Sequence, residues 1–286
     1  MNRLVTLLGC VLLLSPLKGQ AQPKRIVSAG GAVTETLYTL GLGDRIVGVD
    51  QSSTYPEEAT KLPQIGYVRA LSAEGILSLH PDLFVSTEDA GPPGVIEQLK
   101  GAGLKVLILP SDHTETTAVN RIVTLGKELG AEEQANRVVE EMRAKLELAR
   151  KESSTKGSRP RVLFLYCRGG SMMNVSGAGT AADAMLKLAG AENVVNEYEG
   201  YKPLTPEAAV KGNPDVILVT AGGVAGVGGI DRLLEHPALA LTKAGRERKV
   251  VAMDDLFLLG FGPRLGDSVH SLHAQLREAV SGKTAQ

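Results

Sequence analysis

Two stretches of this chain read alike at a fixed separation. Leu71-Ser-Ala-Glu74, with Pro81-Asp82 and Thr87 further on, aligns without a gap with Leu204-Thr-Pro-Glu207, Pro214-Asp215 and Thr220. Leu, Glu, Pro, Asp and Thr coincide at five positions 133 residues apart, and Leu37–Gly41 more weakly echoes Leu186–Gly190. A 286-residue chain that repeats itself at about half its length is most economically two lobes of one design. Around the first copy, short apolar runs alternate with helical stripes: Arg25-Ile-Val-Ser28, Arg45-Ile-Val-Gly-Val-Asp50, Leu83-Phe-Val-Ser86 and Leu104-Lys-Val-Leu-Ile-Leu109. A new series starts at Arg161-Val-Leu-Phe-Leu165. This pattern predicts an α/β fold of two Rossmann-like lobes, each a parallel sheet with helices on its faces and a ligand cleft between them.

Residues 115 to about 151 contain no proline, and Val119, Ile122, Val123, Leu125, Leu129, Val138, Met142 and Leu146 recur at helical spacing. Gly126 and Gly130 weaken the stretch locally. Unbroken, some 35 residues would make a linker helix of ~50 Å. The expected division is an N-terminal lobe over 22–112, linker helix and polar break over 113–158, and a C-terminal lobe over 159–286.

The first 21 residues read as an address. Arg3 gives a positive start, Val5–Leu14 is almost wholly apolar, Pro16 breaks the run, and Gly19-Gln20-Ala21 offers small residues for cleavage. The run is too short for a bilayer span, which takes ~20 apolar residues. Cys10 after Leu7-Leu8-Gly9 suggests a lipoprotein cysteine, but apolar sequence continues past it, and the simpler reading removes it with the signal. The mature product is expected to be periplasmic, soluble and monomeric. Losing residues 1–21 strips Arg3 and Lys18 and no acid, which takes the net charge from −1 to −3. That balance offers no grip on a phosphate backbone, so nucleic acid is not an expected partner. Cys167 then remains as the single thiol, which excludes an internal disulfide or a four-thiolate zinc site.

In open parallel sheets a ligand sits outside the carboxyl ends of the strands. The loops there are Ala29–Ala32, Gln51–Ala70, Glu88–Gly94 and Pro110–Thr114 in the first half. In the second they are Tyr166–Thr180, Asn196–Pro203, Thr220–Gly229 and Asp254–Arg264. Aromatic residues are scarce, with no Trp and 6 Tyr, so each Tyr position is informative. Tyr55, Tyr67, Tyr198 and Tyr201 lie in or beside these loops, and Tyr166 at a strand end. The glycine cluster Gly222–Gly229 lacks the Lys-Ser/Thr of a nucleotide loop, and glycine there would let backbone approach a flat ligand. The histidines do not gather. His80 and His236 precede prolines, His113 sits in a ligand-side loop, and His270 and His273 lack a third metal ligand nearby. No Ser/His/Asp arrangement stands out, so an enzyme is not expected.

The remaining motifs are Ile26-Val-Ser28 with Thr34-Glu35, Asp50-Gln-Ser-Ser-Thr-Tyr-Pro56, the run from Leu62 to Glu74 containing Gly66-Tyr67-Val-Arg69, Gly179-Thr-Ala-Ala-Asp-Ala-Met185, and Gly260-Phe-Gly-Pro-Arg264. Together they resemble the class III periplasmic substrate-binding proteins of ATP-driven importers, whose two lobes are joined by one rigid helix. Within that group the chain is similar to the haem-binding branch, on the strength of the Gly-Tyr-x-Arg run. The resemblance covers almost all residues after 21. It implies haem as the transported ligand, Tyr67 as the haem iron ligand, and Arg69 as its support or as a pocket cation that meets a haem carboxylate. The chemistry agrees: phenolate oxygen is an established ligand of haem iron, and a neighbouring cation favours ionising a phenol whose ordinary pKa is ~10. On spacing alone, Tyr67 reads as an ordinary half-buried loop tyrosine. Arg168 and Arg264 are candidates for the haem propionates, or else exposed cations or neutralisers of helix ends. Tyr55, Met172 and Met173 complete the expected pocket, the methionines as cover for the porphyrin or as gap-fillers.

One departure stands out. Some relatives carry a His in the loop after the first strand of the second lobe, whereas Tyr166-Cys-Arg-Gly-Gly-Ser-Met-Met173 has none. The sixth iron position is then open, or filled by water, Met172, Met173 or Cys167. Glu74 and Glu207 hold matching places in the two repeats. The resemblance implies that each docks onto one subunit of an ABC permease dimer at the inner membrane, while the plainer reading has both complementing helix N-termini. A ferric siderophore or a corrinoid on the same scaffold is the competing ligand assignment.

Overall fold

The computed structural model describes residues 22–153, 158–168 and 172–282, and the export signal expected over 1–21 lies outside them. The first half runs β1 (Ile26–Ser28), α1 (Gly31–Thr39), β2 (Ile46–Val49), β3 (Gly66–Tyr67), β4 (Ala70–Leu71), α2 (Ala73–Leu77), β5 (Leu83–Thr87), α3 (Pro93–Gly101) and β6 (Lys105–Leu109). Its main sheet has the order β2-β1-β5-β6, all parallel. β1 and β5 are buried along their whole length, as strands covered on both faces must be. Helices α4 (Glu115–Leu129) and α5 (Glu132–Ser153) follow.

The second half runs β7 (Arg161–Arg168), β8 (Met172–Ser176), α6 (Ala181–Leu188), β9 (Glu192–Asn193), β10 (Tyr201–Pro203), α7 (Pro206–Gly212) and β11 (Val216–Thr220). It continues through α8 (Ala221–Val227), α9 (Ile230–Leu234), α10 (Pro237–Ala240), α11 (Lys243–Arg246), β12 (Val250–Met253), α12 (Asp255–Leu259) and α13 (Leu265–Ser281). The sheet order is β10-β8-β7-β11-β12, with β9 beside the start of β7. Setting aside β8 and β10, which add antiparallel strands, β9-β7-β11-β12 repeats the order of the first sheet.

The bonds that the repeated residues make explain the repeat. Asp82 accepts the backbone N–H groups of Lys24 and Arg25 at 2.9 and 3.0 Å, and Asp215 accepts that of Arg161 at 3.1 Å. Each Asp thereby closes the start of its sheet's central strand. Ser72 and Thr205 cap α2 and α7 through their hydroxyls. Beyond those helices, His80 and Asn213 both take positive φ, 47° and 41°. Arg25 donates to the carbonyls of Leu79 and His80, and Arg161 to that of Gly212, so each satisfies helix-end acceptors.

The helical linker is two pieces rather than one 35-residue rod. α4 ends at Gly130, left-handed at φ 69°, and α5 starts two residues on. The turn lays α5 back against α4 so closely that a Cβ at Gly126 would stand 2.5 Å from that of Ala135. The two glycines that weaken the stretch in sequence are thus the break itself. α4 packs on α1 of the first lobe, while α5, 22 residues and ~33 Å long, lies along α13 of the second. The Gly222–Gly229 cluster also differs from its expectation as a loop, since most of it is helix α8. A Cβ at Gly223 would meet Thr220 Oγ1 at 3.0 Å and the Cys167 Cβ at 3.3 Å, so glycine here serves helix-on-strand packing.

Candidate functional site

β3 and β4 form a hairpin with Val68 and Arg69 at its turn. Gly66 enters it at φ 95°, a conformation that costs glycine little. Val68 is buried, and the hairpin is stitched to Gly91, whose N–H donates to the Val68 carbonyl at 2.9 Å and whose carbonyl accepts from Leu71 N–H at 2.8 Å. Anchored from below, the hairpin leaves Tyr67 half-buried and Arg69 exposed, both lining a cavity of about 550 Å³ between the lobes. The Arg69 guanidinium meets Asp89 at 2.8 Å. Burial works against its charge, but Asp89, with smaller help from the Tyr67 and Tyr166 phenols, outweighs this and raises its pKa. A firm cation therefore stands beside Tyr67.

Asp50 organises the neighbouring wall. Its buried carboxylate accepts from Gly30 N–H at 2.8 Å, Ser52 N–H at 3.0 Å, and the Ser52 and Ser53 hydroxyls at 2.7 and 2.8 Å. Four bonds match its acceptor capacity and hold Gly30, Gly31, Gln51 and Ser52 at the cavity edge. From the second lobe, Asp254 caps α12 by accepting from Phe257 N–H at 2.7 Å, and Asp255 accepts from Gly222 N–H at 2.8 Å. Leu256 and Leu259 add apolar cover. The lobes approach so closely that a Cβ at Gly31 would stand 2.7 Å from a Leu256 methyl.

Arg121 and His113 also line the cavity. Arg121 is 6% exposed and donates to the Phe261 carbonyl at 2.6 Å. Burial lowers its pKa, opposed by Asp89 and Asp112. The His113 ring lies 5.5 Å from that of Phe261, and withdrawal from water holds its pKa below the usual value.

Of the residues expected at the pocket, Tyr67 and Arg69 come together on its wall, while Tyr55, Met172, Met173 and Arg264 are not among its lining residues. Arg264 is committed elsewhere. Its Nε and Nη2 donate to the two Glu35 carboxylate oxygens at 2.7 and 2.9 Å, and its plane lies 3.6 Å from the Tyr55 ring centre. Glu35 is buried on α1, and a buried carboxylate needs a cation. Arg264 and Tyr55 are thus parts of a strut between lobes rather than a free propionate site. Met172 is exposed at the start of β8, and Met173 packs on the second lobe's core. Cys167 is buried, which pushes its thiol up to about 11, so it offers no thiolate at neutral pH. The Arg168 side chain lies outside the described residues. Glu74 and Glu207 are exposed at the second positions of α2 and α7, with no ion-pair partner among the described residues. His270 bonds Glu152 and His273 the Ala189 carbonyl, and no metal-type cluster occurs among the described residues. Arg121, Asp89 and Leu256 escaped the reading of the sequence. The signal for Arg121 was a cation within the apolar stripe of Ala118, Ile122 and Leu125.

The chain matches the family described as periplasmic binding protein over residues 26–256. It superposes on the periplasmic haem-binding protein BhuT in complex with two haems, with a TM-score of 0.85 and 42% identity, covering 90% of this chain and 99% of that one. The periplasmic haem-binding protein RhuT from Roseiflexus sp. RS-1, in apo form, gives 0.87 and 41% over 90% and 99%. The uncharacterized ABC transporter substrate-binding lipoprotein YvrC of Bacillus subtilis is 30% identical over 88% of this chain and 79% of its own length. A vitamin B12-binding protein of Photorhabdus laumondii is 26% identical over 90% of each chain.

Proposed function

The chain belongs to the periplasmic binding protein family, and on that premise we propose that it is a non-catalytic carrier that holds haem between its lobes and delivers it to an ABC permease. The observation that carries this reading is the phenol of Tyr67 on the wall of an inter-lobe cavity, with the Arg69 cation beside it. Ferric iron is a hard acid that takes a phenolate oxygen, and both the iron and Arg69 favour the ionised phenol. A cavity of about 550 Å³ falls in the ~300–1,000 Å³ range of small-molecule sites. Leu256 and Leu259 suit one face of a flat apolar ring. We assign Tyr67 as the iron ligand and Arg69 as the group that keeps its oxygen anionic.

Glu74 and Glu207 are our candidates for docking. They occupy equivalent places in the two repeats, stand exposed, and are unengaged among the described residues. A permease with pseudo-twofold symmetry would receive one carboxylate from each lobe. The apolar start of residues 1–21 supports export of the carrier, which would work as a monomer in the periplasm.

Titration with hemin tests the reading. Wild-type protein is expected to show a ferric tyrosinate absorption spectrum, and Tyr67→Ala to lose it. Equal binding with an unchanged spectrum in that variant ends the ligand assignment. A corrinoid is the second reading, favoured by the vitamin B12-binding relative that covers 90% of this chain. The haem-binding structures match at 41–42% against 26%, which sets the order of the two. Displacement of bound hemin by cyanocobalamin would reverse it.

A further inference from the structure

Arg121 carries a charge that no acid among the described residues neutralises at contact distance. It is 6% exposed, and only its Nη2 is engaged, by the Phe261 carbonyl at 2.6 Å and the Gly260 carbonyl at 3.5 Å. Asp89 and Asp112 act on it at longer range, and Asp89 is already taken by Arg69 at 2.8 Å. Ser268 Oγ is the one sealed side-chain polar atom without a partner among the described residues. The Nε and Nη1 groups of Arg121 are therefore not sealed in, on a residue that lines the cavity. A buried guanidinium without an acid beside it is costly. Its planar fork of donors fits a carboxylate in a bidentate pair. Ser111 and His113 line the same cavity and add polar surface.

We propose that Arg121 seats a carboxylate arm of the cargo, one propionate of haem, and so selects free-acid tetrapyrroles over neutral ones. The inference rests on the haem reading and adds to it a residue that recognises the acid arm rather than the iron.

The test compares hemin with hemin dimethyl ester on wild-type, Arg121→Gln and Arg69→Gln proteins by absorbance titration, reading the tyrosinate band separately from affinity. Wild type is expected to bind the diester at least roughly tenfold more weakly than hemin. Arg121→Gln should bring the two ligands within about threefold while keeping the tyrosinate band, and Arg69→Gln should preserve the wild-type ratio. Equal binding of acid and diester by wild type, an unchanged ratio in Arg121→Gln, or a collapsed ratio in Arg69→Gln overturns the assignment. If Arg121→Gln does not fold for want of its bond to Phe261, Arg121→Lys, which keeps a charge but not the fork, should narrow the ratio, and an unchanged ratio there overturns the assignment. Wild type that binds hemin with no tyrosinate band brings down the Tyr67 reading and leaves the diester ratio to judge Arg121 alone.

Discussion

Gly66-Tyr67 in the first lobe and Gly200-Tyr201 in the second set a tyrosine behind a glycine of positive φ, 95° and 78°, shortly before α2 and α7. The outcomes differ. In the first lobe the strand turns into its own hairpin, and Tyr67 lines the cavity. In the second, Tyr201 lies opposite Ser176 on β8, its ring centre 5.5 Å from that of Tyr166. Burial raises the Tyr201 pKa, against a hydrogen bond with Thr180 and the Arg69 charge. The duplicated parts are those that close strands and cap helices, while the extra β7–β8 hairpin gives the second tyrosine a neighbour to lean on. One copy thereby lines the cavity, while the other stays exposed on β10 with its ring against that of Tyr166.

Substitutions can break or sharpen that contrast. The largest effect is expected at Tyr67: replacement by Ala should weaken hemin binding by roughly two orders of magnitude, on the order of 3 kcal/mol, in an absorbance titration. Next, the Glu74→Ala/Glu207→Ala double variant should lose permease-dependent uptake by roughly tenfold or more in reconstituted vesicles, with hemin affinity unchanged. Loss confined to one single variant would show that the lobes dock unequally. Glu35→Gln, which leaves Arg264 without its buried partner, should cost about 3 kcal/mol and lower the melting temperature by roughly 6–12 °C. Tyr201→Phe should leave hemin affinity within about twofold and cost ~1 kcal/mol of stability for its hydrogen bond. A larger loss of hemin binding there would restore equivalence between the two tyrosines.

Near neutral pH, Cys167 gives the smallest signal, and it has a definite sign. Its thiol is pushed up to about 11 in the folded protein by burial, against ~8.5 in an unfolded chain. The folded state holds the proton more tightly, so this contribution to stability is intact below the unfolded value and fades as pH rises toward the folded one. At pH 8 an alkylating reagent should label the unfolded chain and spare the native one, as mass spectrometry would show.

The architecture was legible because its causes are local or periodic. Strand burial leaves unbroken apolar runs, and the 133-residue repeat exposes matching caps and strand closures. That Tyr67 and Arg69 stand together was legible from their spacing within one hairpin, whereas the role expected of Tyr67 came from the resemblance, since spacing alone reads it as an ordinary loop tyrosine. The Glu35–Arg264 strut was not legible, because its partners are 229 residues apart and nothing local marks the pairing. Arg264 read as an open cation until its bidentate partner came into view. The linker sat between these cases. Gly126 and Gly130 announced weakness, but the turn that forms there depends on Ala135 being small enough to pack against Gly126.

Part of the apolar core is continuous between the lobes. One cluster passes from Ile26 through Ile122, Met142 and Leu146 to Phe164 and Leu276. At the crossing of α5 and α13, a Cβ on Gly266 would stand 2.8 Å from the Met142 carbonyl oxygen. Swinging the halves apart would shear close-packed material, which yields little before it breaks. Such a vessel admits its passenger with little rearrangement and stores no spring with which to eject it. On the carrier reading proposed above, release of the cargo would fall to the permease it docks on.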